Sequence, residues 1–110
     1  YKGDGLGNFK MLSRHETGVN PHGLTSGDFD KDGNLDLAVS NRTSGGITIF
    51  LGKGNGDFEN TSSIYTGNDG IAIANGDFDG DGTIDLAMVS ASSHSLLFYR
   101  GDGKGGFNPW

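Results

Sequence analysis

The sequence predicts an all-β fold, and three observations predict it. No window keeps apolar residues at i, i+3, i+4 and i+7 for three turns, and glycine interrupts every stretch long enough to try. Hydrophobic residues make up 33% of the chain, with 21 Gly and only 2 Pro, a balance that suits short strands joined by tight turns. Finally, one unit is used twice at a spacing of 49 residues. Asp28-Phe29-Asp30-Lys31-Asp32-Gly33-Asn34-Leu35-Asp36 answers to Asp77-Phe78-Asp79-Gly80-Asp81-Gly82-Thr83-Ile84-Asp85, every acidic position in register.

Taken in order, residues 3–7 read as a tight turn and residues 9–17 as an exposed strand. Residues 22–27 form a short strand of small side chains leading into the first acidic loop. An apolar central strand at 35–40, a third at 47–51 and a polar outer one at 58–65 complete the first unit. The second repeats the series at 71–76, 84–90 and 95–99, with an outer strand at 107–110. A second landmark keeps the same period. Residues 1–9, 50–58 and 99–107 each run from an aromatic through Gly at the third, fifth and seventh positions to a closing Phe. Four short antiparallel strands per unit, the innermost built from small side chains, is the strand economy of a β-propeller blade.

Each acidic loop reads as a calcium site. A hard dication takes six to eight oxygens at roughly 2.3–2.6 Å, which alternating Asp side chains, a backbone carbonyl at the seventh position and a closing carboxylate at the ninth can supply. Without an ion the carboxylates repel, at about 4 kcal/mol for two charges ~4 Å apart in a medium of dielectric near 20. An EF-hand would need Glu at the twelfth position, where Val39 and Met88 stand.

These strings, with Phe-Leu-Gly-Lys-Gly-Asn-Gly-Asp-Phe at 50–58, resemble the FG-GAP or VCBS repeat of integrin alpha-chain propellers and of many secreted bacterial proteins. The resemblance implies that each loop joins the first two strands of a blade and binds one calcium ion, two per chain. Asp28, Asp30, Asp32 and Asp36 would be side-chain ligands with the Asn34 carbonyl, and Asp77, Asp79, Asp81 and Asp85 with that of Thr83. It further implies a calcium-binding module of lectin or adhesion type that recognises a glycan or a protein. The alternative is a self-assembling structural propeller, natural or engineered, with calcium as its only ligand.

Family members carry five to eight blades where this chain has two. A lone pair of blades exposes an apolar face on each side, and ~500 Å² left wet forgoes on the order of 12 kcal/mol. The expected organisation is therefore one domain, 1–110, with repeats at 18–66 and 67–110. Either the chain is a piece of a longer propeller, or several copies close a ring head to tail, as a trimer or a tetramer. Residues 1–17 are expected to supply the outer strand that completes a blade of a neighbouring chain.

Composition narrows the partners. Net charge is −6, and eight of the fourteen acidic residues lie in the two loops, so two calcium ions would bring it to −2. Acidity of this kind argues against nucleic acid, which needs a basic face. No apolar run approaches the ~20 residues that span a bilayer, and absence of cysteine rules out disulfides and thiol nucleophiles. Loops of this type fill at millimolar calcium, which points to an extracellular, secreted or periplasmic setting.

Other features read as structural. Arg100-Gly101-Asp102 spells an integrin-ligand tripeptide but falls inside the turn landmark, and Gly101-x-Gly103-x-x-Gly106 lacks the helix that a dinucleotide fingerprint requires. Asn41 and Asn60 head glycosylation sequons. His15, His22 and His94 do not recur at the repeat spacing and have no partner placed for a triad, so no enzyme is expected. Tyr65 and Trp110 read as packing residues, with sugar stacking as the alternative.

Overall fold

The computed structural model describes residues 1–67 and 69–110, and among them there is no helix. Ten strands follow one another: β1 (Lys2–Gly3), β2 (Phe9–Lys10), β3 (Pro21–Gly27), β4 (Asp36–Asn41), β5 (Gly46–Gly52), β6 (Phe58–Tyr65), β7 (Gly70–Gly76), β8 (Asp85–Ser90), β9 (Ser95–Gly101) and β10 (Phe107–Pro109). They form a small β1-β2 ribbon and two four-stranded antiparallel meanders, β3-β4-β5-β6 and β7-β8-β9-β10.

The repeat holds at the level of register. Gly27 pairs with Asp36 and Leu37 with Phe50 in the first sheet; Gly76 pairs with Asp85 and Leu86 with Tyr99 in the second. Even the irregularity recurs, between Pro21 and Gly23 and again between Gly70 and Ala72. Three turns share one construction. Asp4, Lys53 and Asp102 donate their N–H to the carbonyls of Asn8, Asp57 and Gly106 at 3.0–3.1 Å, around glycines with left-handed backbones. Only glycine adopts those angles without a steric penalty, which fixes the Gly spacing of the landmark.

The two large sheets pack face to face. Phe29, Ala38, Ile47 and Ile49 of the first meet Leu86, Met88, Tyr99 and Phe107 of the second in one core, where Phe29 lies edge-on to Phe107 at 5.4 Å. The central strands β4 and β8 are covered on most of their length, which is why they read as continuous apolar runs. Strands β3 and β7 run side by side at the inner edge. A side chain on Gly23 would come within 3.1 Å of the Ala72 Cα, and the Thr25 hydroxyl bonds the Asn75 side chain. Close backbone approach is the reason small residues, Gly23 and Ala72, stand where the two strands meet.

One expectation fails inside the chain. Of residues 9–17 only Phe9–Lys10 is a strand, and it pairs with Lys2–Gly3 of its own chain. The second sheet already has an outer strand, since Phe107–Pro109 pairs with Tyr99 to Gly101 and the Trp110 N–H reaches the Phe98 carbonyl at 3.1 Å. The segment instead leans on the first sheet. Leu12 approaches Gly56, and His15 lies edge-on to Phe50 and Phe58 with its Nε2 3.2 Å from Asp57.

Candidate metal centres

Each acidic loop leaves an inner strand and returns along the central one, so its first and ninth residues lie opposite each other at the mouth of the sheet. Asp36 pairs with Gly27 and Asp85 with Gly76, one residue before each loop begins. The sixth position must turn left-handed, and Gly33 (φ 87°) and Gly82 (φ 83°) do so. Lys31 (φ 65°) adopts the same sense of turn where the second loop has Gly80 (φ 78°).

Backbone amides shape the loops around their acids. Asp28 accepts from the Asp32 and Gly33 amides at 3.1 and 3.0 Å, and Asp77 from the Gly80 and Gly82 amides at 2.7 and 2.9 Å. The closing acids are fully buried. Asp36 accepts from Phe29 N at 2.7 Å and from Gly52 N at 2.8 Å; Asp85 accepts from Phe78 N and Gly101 N, both at 3.0 Å. Each therefore ties the loop to the end of the third strand of its own sheet.

In the first loop Asp28, Asp30 and Asp36 bring one carboxylate oxygen each within 4.8 Å of one another, and Asp77, Asp79 and Asp85 do the same in the second. Asp32 and Asp81 stand outside these triads. The carboxylate of Asp32 accepts from both the backbone and side-chain nitrogens of Asn34, at 2.7 and 2.8 Å, and Asp81 accepts from the Thr83 amide at 2.7 Å. Those two bonds from Asn34 hold the Asp32 carboxyl below its ordinary range. Desolvation pushes the Asp30 carboxyl above its range despite the Asp32 amide, and the charges of Asp32, Asp36 and Asp28 push it further. An all-oxygen donor set that strains against its own charge fits a hard dication such as calcium.

The two loops differ in where a cation stands: Lys31 lies within the first, where the second has Gly80, and Arg100 lies beside the second. Arg100 Nη2 lies 2.7 Å from Asp79 Oδ2, with its guanidinium 4.8 Å from the Trp110 ring; the position of Arg100 in the first repeat is Leu51. Sequence reasoning set Arg100 aside as part of a turn and missed this pair. It also missed the double hold of Asp36 and Asp85, although a signal was present: in both repeats a glycine stands sixteen residues after the closing Asp.

The remaining candidates divide between internal contacts and exposed positions, and Tyr65, expected to pack, is among the exposed ones. Asp102 accepts from the Lys104 and Gly106 amides of its own turn, at 2.8 and 2.9 Å, so the Arg-Gly-Asp string is spent on internal contacts. Trp110 stacks edge-on to Phe98 at 5.8 Å, while Tyr65 is exposed. Asn41 is buried, its amide donating to the Thr48 hydroxyl at 2.9 Å, so that sequon is closed in the folded chain; Asn60 is exposed.

A family model of the FG-GAP-like repeat matches residues 28–88, from the first acidic position of one loop to three residues past the other. The chain belongs to this family. Neither curated proteins nor solved structures offer a match. Membership supports a β-propeller-type module for the paired meanders. No helix among the described residues is long and apolar enough to cross a membrane.

Proposed function

We propose that the chain is a calcium-stabilised β-propeller module that binds one ion in each Asp loop and presents a glycan- or protein-recognition surface outside the cell. The observation that carries this reading is the convergence, twice at the same register, of three carboxylates whose ligand oxygens lie within 4.8 Å of one another. Asp28, Asp30 and Asp36 would hold one ion and Asp77, Asp79 and Asp85 the other, with Asp32, Asp81 and the carbonyls of Asn34 and Thr83 completing each set. Bound calcium supplies the positive charge that the loop lacks. The chain's own part is to fix the geometry: Asp36 and Asp85 anchor the loops, and Gly33 and Gly82 let them turn.

An ion held this way braces a sheet, and its contribution follows RT ln(1 + [L]/Kd). For a Kd of ~10⁻⁴ M at ~2 mM calcium this is about 1.8 kcal/mol per site. Isothermal titration is expected to give two calcium ions per chain, and chelation with EDTA a lower melting temperature. A folded protein that takes up no calcium and melts identically in EDTA would refute the proposal. A glycan array and a pull-down, each with calcium and with EDTA, test the recognition surface. Silence in both would favour a structural assembly with calcium as its only ligand, a reading supported by the exposed aromatic face of the second sheet.

A further inference from the structure

Matching positions of the two sheets have opposite exposures, in a pattern with a single cause. Phe29, Ser40, Ile47 and Ile49 of the first sheet face the second and are at most 1% exposed. Their counterparts 49 positions on are Phe78, Val89, Leu96 and Phe98, exposed to 46, 41, 55 and 38%. Val89, Leu96 and Phe98 lie on matching strands in the same register as Ser40, Ile47 and Ile49, and among the described residues no sheet covers this face. With Trp110 the aromatic members line an open groove of about 700 Å³.

The surface that would fit this face is also in the chain. The first sheet docks on Ile73 and Ile84 of the second, and the counterparts of these on the first sheet, Leu24 and Leu35, are 63 and 66% exposed. The free face of the first sheet thus repeats the surface that receives a sheet inside the chain. Its outer half is occupied by a stand-in. Leu12 approaches Gly56 to the distance at which Leu51 approaches Gly105 across the contact between the sheets, and His15 covers Phe50 and Phe58.

We propose that the exposed face of the second sheet is a docking surface for the first sheet of a second copy of this chain, reproducing between molecules the contact already made within one. The occupant is identified by continuity with the internal interface. Phe78 takes the place of Phe29, and Leu96 and Phe98 those of Ile47 and Ile49. On the receiving copy Leu24 and Leu35 answer to Ile73 and Ile84, and residues 11–18 yield the outer half of the face. Such a contact is heterologous, one face meeting a different one, so it propagates head to tail, and a rotation that matches the propeller's closes it into a ring. The inference rests on sheet packing and is independent of the calcium reading.

Light scattering on the intact chain, with calcium present, is expected to give a small integral multiple of the chain mass. The decisive arm uses Leu96→Glu, which charges the docking face, and Leu24→Glu, which charges the receiving face. Both replace exposed side chains, so circular dichroism should show folded protein. Each variant alone should be monomeric, its self-association weakened at least tenfold. Mixed, they should form a one-to-one heterodimer, because one intact docking face meets one intact receiving face. A monomeric intact chain, variants that still assemble alone, or folded variants that ignore each other would each overturn the proposal. Calcium uptake measured on the same samples separates a failure here from a failure of the metal reading.

Discussion

Asp36 has two roles that one experiment can pull apart. In the proposed calcium site it would contribute charge to the first loop, and as an anchor it holds the amides of Phe29 and Gly52 at 2.7 and 2.8 Å from a fully buried carboxylate. Asp36→Ala leaves both amides without that acceptor. A hydrogen bond to a charged group is worth about 1.5–3 kcal/mol, so the loss should be about 3–6 kcal/mol, a large share of the ~5–15 kcal/mol that holds a domain of this size. Asp30→Asn is the control, since it also weakens calcium binding but removes a charge that its neighbours repel. The assay is urea denaturation of both variants in EDTA, at a temperature where the chelated parent chain is folded. Asp36→Ala is expected to lower the midpoint sharply, and Asp30→Asn to leave stability within about 0.5 kcal/mol or to raise it. A cost below about 1 kcal/mol for Asp36→Ala in EDTA would refute the anchoring argument and leave only the ligand role.

Three further outcomes follow from the same geometry. Gly101→Ala would place a Cβ 2.1 Å from the Ile84 carbonyl and push away the amide that Asp85 holds, a loss of about 2–4 kcal/mol measurable by thermal unfolding. Arg100→Leu removes the cation that competes for Asp79. Because the pair is partly exposed its worth is modest, and calcium titration should show the second site tighter by about two- to fivefold with the first unchanged. In EDTA the raised Asp30 pKa gives the folded state extra proton affinity. Its repulsive cost is present above that pKa and disappears as pH falls toward the ordinary value of 3.8. The stability advantage of Asp30→Asn over the parent chain should accordingly shrink on acidification, and an advantage that grew would contradict the sign.

Most of the fold was legible because its determinants are local. The acidic loops depend on Asp at alternating positions and Gly where the backbone turns left-handed, and the three repeated turns depend on Gly spacing; the structure shows the turns where the glycines stand, and brings three of the four carboxylates of each loop together while leaving Asp32 and Asp81 aside. What was not legible depends on neighbours. Residues 9–17 lie 49 positions before a stretch that becomes β6, yet only Phe9–Lys10 forms a strand. An outer strand exists only where another strand offers an edge: β5 offers one to Phe58–Tyr65, and among the described residues no strand pairs with residues 11–17. The hold of Asp36 on Gly52 was hidden likewise, because it joins residues sixteen apart that meet only once the meander has formed. Burial shows the limit most directly. Ile47 and Leu96 occupy one position of the repeat, on matching strands, and are 0 and 55% exposed. Hydrophobicity alone does not separate them: the second sheet covers Ile47, and under the docking proposed above the surface around Leu24 and Leu35 of a second copy would cover Leu96.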